Sequence, residues 1–215
     1  MKALVVAGGK TDENFARDMI LKGGYEFIVA VDSGLNFFYQ AGIEPDIVVG
    51  DFDSVEEEVL DYYRDHEHVE ICMLNPEKDD TDTEFSVREA IRRGANKITL
   101  IGGTGTRIDH LLGNVSVLGI GLEENVAIEL VDPNNRIRMI NQGIEITKKE
   151  QFGKYLSVLP YSDKVTGVTL EGVKYPLTNH TMGGYNSLGI SNEIIEDTAR
   201  ISFDEGILLV IESQD

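Results

Sequence analysis

Among 215 residues the sequence has one cysteine, Cys72, and no tryptophan. A single thiol forms no internal disulfide, so the fold has no covalent framework of the kind built in oxidising compartments. Cys72 reads as a small buried apolar side chain, and a reducing cytoplasm is the simplest setting. Positive charge is also scarce: 19 Lys and Arg stand against 38 Asp and Glu, a formal net charge of −19. Such a chain repels phosphate backbones, which excludes non-specific binding to nucleic acid. Long apolar runs are missing. The longest, such as 3–7 and 207–211, are strand-sized, well below the roughly 20 residues that span a bilayer. The opening MKALVVAGGK reaches two glycines too soon for a secretory apolar region.

What is present is a regular alternation. Apolar, β-branched runs at 3–7, 27–31, 47–49, 69–74, 97–101 and 126–131 predict six strands. Helical spacing between them predicts helices over 14–22, 35–41, 55–66, 83–93 and 107–119. Continuous apolar strands alternating with helices imply a Rossmann-like parallel sheet covered on both faces. The texture changes at Asp132-Pro133-Asn134-Asn135. Beyond it, short strands at 137–140, 144–147, 155–160, 164–170, 190–195, 199–203 and 206–211 are separated by turn residues. The expected architecture is therefore α/β plus all-β. An α/β domain over 1–132 precedes an antiparallel β-sandwich over 133–215, and no linker separates them.

In parallel sheets, ligands bind beyond the carboxyl ends of the strands, and the chemically suggestive residues fall there. Gly50-Asp-Phe-Asp-Ser54 follows the third strand. Two carboxylates at i and i+2 in a tight loop offer oxygen ligands suited to Mg²⁺ or Mn²⁺; the same residues also suit a turn and a helix N-cap. Lys78-Asp-Asp-Thr-Asp-Thr-Glu84 places acids where a helix dipole favours them, and with the first loop it offers Asp82 as a third metal carboxylate. Gly102-Gly-Thr-Gly-Thr-Arg107 allows close backbone approach to phosphate at a helix start. It lacks the Gly-Lys-Ser/Thr ending of a P-loop and the spacing of the dinucleotide fingerprint. Asp109, His110 and Asn114 lie within about one and a half turns of the following helix and can face one site. Asp32-Ser33-Gly34 ends the second strand and fits both a turn and a site.

These blocks, in this order, resemble the thiamine pyrophosphokinase family. The resemblance extends through Val165-Thr-Gly-Val-Thr-Leu-Glu-Gly-Val-Lys-Tyr-Pro-Leu177 and Gly189-Ile-Ser-Asn192, and so covers nearly the whole chain. It implies a cytoplasmic homodimer with active sites at the subunit interface, transferring pyrophosphate from ATP to the hydroxyl of thiamine and releasing AMP. It implies that Asp51, Asp53 and Asp82 hold Mg²⁺, with Mn²⁺ as an alternative. Asp32, Asp46, Gly102, Gly103, Thr104, Arg107, Asp109 and Asn114 would surround ATP. Lys78, Thr81, Ser191 and Asn192 would lie at thiamine, the last two from the other subunit. Asp79 or Asp82 would accept or orient the hydroxyl proton. No nucleic acid or membrane enters this picture. Two rival readings remain open. Asp51-Phe-Asp53 also resembles an aspartate-nucleophile phosphatase motif, though it follows the third strand rather than the first. A nucleotide sensor could keep the fold without turnover.

Overall fold

The β-branched run at the start of the chain forms β1 (Lys2–Val6), its last four residues buried. In the computed structural model, which describes residues 1–75, 79–105, 107–184 and 187–215, five more strands follow. They are β2 (Phe27–Val31), β3 (Ile47–Gly50), β4 (Glu70–Met73), β5 (Lys97–Ile101) and β6 (Ala127–Val131). A helix precedes each of the five: α1 (Glu13–Lys22), α2 (Leu35–Ala41), α3 (Glu57–Arg64), α4 (Asp82–Arg92) and α5 (Ile108–Glu124). The pairs are parallel in the order β6-β5-β1-β2-β3-β4. The chain runs from β1 outward to β4, then crosses to β5 on the other side of β1. The order thus reverses between β1 and β5, and all carboxyl ends face one rim. That is where a parallel α/β sheet opens a crevice.

Local chemistry sets the helix starts. Asp12 caps α1 by accepting from the Phe15 N–H, and Thr81 caps α4 by accepting from the Glu84 N–H. Helix α2 ends at Gly42 with φ 63°, a left-handed residue suited to glycine. Helix α5 runs five residues past the expected end at 119. The apolar face continues through Ile120 and Gly121, and the helix stops at Asn125, which takes φ 55°. Gly121 is required there, because a Cβ would meet the Val126 carbonyl as β6 begins.

The chain divides into two compact units, Met1–Pro133 and Asn134–Asp215. The second contains β7 (Asn135–Ile140), β8 (Ile144–Thr147), β9 (Tyr155–Pro160), β10 (Lys164–Glu171), β11 (Leu177–Gly183), β12 (Asn192–Glu193), β13 (Thr198–Ser202) and β14 (Leu208–Ser213). Within this unit the strands pair antiparallel in two runs, β12-β9-β14-β7 and β11-β10-β13-β8. Inward side chains from both, among them Leu156, Val158, Val168, Leu170, Ile201 and Val210, share one apolar core, so the unit is a β-sandwich. Glu212 is 1% exposed in this unit. Arg136 and Arg138 donate to its carboxylate at 2.7 Å each, and the Phe152 N–H donates at 2.9 Å, so the buried charge is compensated. The sequence pattern predicts no strand at β11. Only Met182 of its seven residues is buried, so an edge strand stands there without an apolar alternation to announce it. The run expected over 190–195 forms a strand only at Asn192–Glu193, with Ile194 adding an isolated bridge to Val173.

Candidate active site

Five loops at the carboxyl rim of the first unit line a cavity of about 540 Å³. They follow β1 (Gly8–Lys10), β2 (Asp32, Ser33), β3 (Asp51), β4 (Asp80–Thr83) and β5 (Gly102, Gly103, Gly105, Arg107), and α5 adds Asp109, His110, Gly113 and Asn114.

One side of the cavity is acidic. Carboxylate oxygens of Asp32, Asp51 and Asp53 all lie within 4.8 Å of one another. Backbone geometry brings them there. Phe52 takes φ 61° and buries its ring, so the aspartates before and after it stay more exposed. The Asp53 N–H donates to Asp51 Oδ1 at 3.2 Å and tightens the loop. Asp32 also takes a left-handed conformation, φ 47°. Its Oδ2 accepts from Ser54 Oγ at 2.9 Å, whereas its buried Oδ1 has no hydrogen-bond partner among the described residues. Burial pushes the Asp32 carboxyl up. The Ser54 hydroxyl opposes that shift, and the charges of Asp82 and Asp51 add to it. An orphaned carboxylate oxygen beside two further carboxylates costs free energy unless a cation or a proton meets it.

The other side is built from glycine. Gly102 takes φ +72°, and a Cβ on it would strike the Ala7 carbonyl. A Cβ on Gly9 would strike the Gly102 carbonyl, so the loops after β1 and β5 touch backbone to backbone. Asn114 is 8% exposed, and its Nδ2 donates to the Gly103 carbonyl at 2.9 Å, so α5 holds the glycine loop in place. Arg107 grips Asp109 through two hydrogen bonds, 2.6 and 3.2 Å, in front of α5. That guanidinium holds the Asp109 carboxyl at about 2.

Most of the residues singled out in the sequence converge here. Asp32, Asp51, Asp82, Thr81, Gly102, Gly103, Arg107, Asp109 and Asn114 line the cavity, and Asp53 joins it through the carboxylate group. Others stand elsewhere. Asp46 precedes β3, at the opposite rim, where its carboxylate accepts from the Ile28 N–H at 2.7 Å and closes the start of the β2–β3 pairing. Asp79 is exposed, while its neighbours Asp80 to Thr83 supply the lining. Thr104 sits within the glycine loop, outside the lining. Lys78 and Thr106 lie outside the described residues. In the second unit, Asn192 is 2% exposed and spends its amide on the backbone: it accepts from the Tyr175 N–H at 2.9 Å and donates to the Tyr175 carbonyl at 2.8 Å. Ser191, with φ 57°, is exposed beside it.

Gly8, Gly9 and Lys10 also line the cavity, beyond the residues expected there. The signal was present: two glycines and a lysine end the first strand, at the same rim as the other loops.

Two family models match the chain: thiamin pyrophosphokinase, catalytic domain, over residues 21–130, and thiamin pyrophosphokinase, vitamin B1 binding domain, over 141–208. Thiamine pyrophosphokinase of Bacillus subtilis strain 168 is 34% identical over 217 residues, covering 98% of each chain. A crystal structure of the B. subtilis enzyme matches with a TM-score of 0.89 at 32% identity, over the whole of both chains. That of thiamin pyrophosphokinase from Geobacillus thermodenitrificans matches with a TM-score of 0.85 at 33% identity, covering 100% of this chain and 98% of that one.

Proposed function

The chain belongs to the thiamine pyrophosphokinase family, and from that premise we propose that it moves the pyrophosphoryl group of ATP onto the hydroxyl of thiamine and releases AMP. The observation that carries this reading is the two-sided cavity, with a carboxylate trio facing a bare glycine loop at the switch point of a parallel sheet. The glycine side suits phosphate, since unshielded backbone N–H groups can approach its oxygens. The acidic side would repel a triphosphate unless a divalent cation stood between them.

The residues fit magnesium. The donors are all oxygen, three carboxylates reach one point, and Asp32 Oδ1 has a buried lone pair to offer. Asp32, Asp51 and Asp53 would hold the ion, a set that puts Asp32 where the sequence reading put Asp82. Bound there, magnesium would neutralise charge on the transferring group and orient it. The chain's own groups do the rest. Gly102, Gly103 and Asn114 shape the nucleotide side, and Arg107 faces phosphate from the start of α5. Asp82 is the carboxylate we assign to the hydroxyl proton of thiamine. Its place in the lining favours it over Asp79. Attack at the β-phosphorus then makes the new P–O bond and breaks the bond to the α-phosphate oxygen, which leaves with AMP.

Thiamine carries a cationic thiazolium, and a protein of net charge −19 attracts it. We assign Thr81 to the thiamine side of the cavity, and Lys78, outside the described residues, to thiamine on the family resemblance alone. Ser191 and Asn192 complete that site from the second subunit of a cytoplasmic homodimer. Asn192 acts there by fixing the backbone of Tyr175, because its amide is already committed to it.

Asp51→Asn tests the reading. The variant should keep the wild-type melting temperature, lose calorimetric binding of Mn²⁺ in the presence of ATP, and lower thiamine diphosphate formation by about 100-fold or more. Unchanged turnover would remove the carboxylate trio from the reaction.

A further inference from the structure

We propose that Lys10 is a phosphate-binding residue, contacting the phosphate chain of the nucleoside triphosphate where that chain crosses the centre of the sheet. The strand order supplies the first argument. The glycine loop follows β5, the loop of Gly8, Gly9 and Lys10 follows β1, and the carboxylate trio follows β2 and β3. A nucleotide whose one end lies on the glycine loop and whose phosphates approach the trio must pass over the carboxyl end of β1. Lys10 stands there, in the cavity lining.

The packing supplies the second. Gly8 lies against Ser33, beside Asp32, and Gly9 against Gly102, so this loop physically joins the two sides of the cavity. The space a side chain would take at either glycine is filled by Ser33 or Gly102, so the loop is clamped on both sides directly before the lysine.

The charges supply the third. Among the described lining residues the full cations are Lys10 and Arg107, facing Asp32, Asp51, Asp80, Asp82 and Asp109. Arg107 is engaged by Asp109 at 2.6 Å, whereas Lys10 is exposed and forms no ion pair among the described residues. A flexible ammonium with three donors can follow a phosphate chain as a point charge. This rests on the pyrophosphokinase reading only in taking a nucleoside triphosphate as the ligand.

The test compares ATP with AMP by calorimetry on the full chain with Mg²⁺, in wild type, Lys10→Ala and Lys10→Arg. We expect Lys10→Ala to weaken ATP binding by about 10-fold or more, to change AMP binding far less, and to leave the melting temperature in place. Lys10→Arg should recover most of the ATP affinity. Equal ATP affinity in wild type and Lys10→Ala, or an equal loss for ATP and AMP, would overturn the proposal. A wild type that binds ATP yet makes no thiamine diphosphate would overturn the reaction instead, and the ATP-to-AMP comparison would still decide the role of Lys10.

Discussion

Single residues do their work here by being held against their preferences. Asp32 and Phe52 both adopt positive φ, which L-residues avoid at a cost of order 1 kcal/mol or more. In return two aspartates and Asp32 present oxygens to one point. Charge also has a purely structural use. Glu89 on α4 accepts from Arg92 at 2.6 Å and from Arg93 at 2.7 Å, and Arg93 reaches on to Glu70 of β4. The Arg92 guanidinium first, then that of Arg93, holds the Glu89 carboxyl down at about 2. A carboxyl lowered on folding stabilises the fold above its unfolded-state value and loses that contribution as pH falls through the folded one. Glu89→Gln should therefore lower the melting temperature at neutral pH by about 2–4 °C, the equivalent of roughly 1 kcal/mol. The gap to wild type should close as pH drops from about 4.5 toward 2. A gap that persists unchanged at the lower limit would show that the effect is packing rather than charge.

At the scale of elements, two loops make one surface. The contact of Gly9 with the Gly102 carbonyl leaves no room for a methyl group. Gly9→Ala should push the β1 and β5 loops apart and weaken ATP binding in a titration, while circular dichroism keeps the wild-type helix and strand content. Full ATP affinity in that variant would mean that the close approach is incidental to the nucleotide. Much of this architecture was legible in the sequence, because apolar strands buried on both faces write an unbroken signal, as at Phe27–Val31 and Lys97–Ile101. The pattern faded where burial faded, at β11, and where glycines masked a continuing helix, at the end of α5. The site was legible as a set of loops at strand ends. Its internal arrangement was less so. Asp46 stands only five residues before Asp51, yet the strand between them carries the two to opposite rims. A glycine pair and a lysine at the end of the first strand are a weak signal alone, and the strand order is what sets them between the carboxylates and the glycine loop.

For the whole molecule, the acidic excess and the chemistry belong together. In the reaction we propose, a chain with 38 acidic side chains would meet its anionic co-substrate through a cation and attract a cationic acceptor by its own field. Among the described residues, no helix is long and apolar enough to cross a membrane. The two compact units correspond to two matched family models, a catalytic one and a vitamin-binding one, and the reaction we propose requires both. The most direct test follows a label through that reaction. Purified protein is incubated with thiamine, Mg²⁺ and ATP labelled at the β-phosphate, and the products are separated by chromatography. Pyrophosphoryl transfer predicts all of the product label in thiamine diphosphate, with unlabelled AMP in equal amount. Label recovered in ADP, alongside thiamine monophosphate, would contradict it and make the reaction a single phosphoryl transfer.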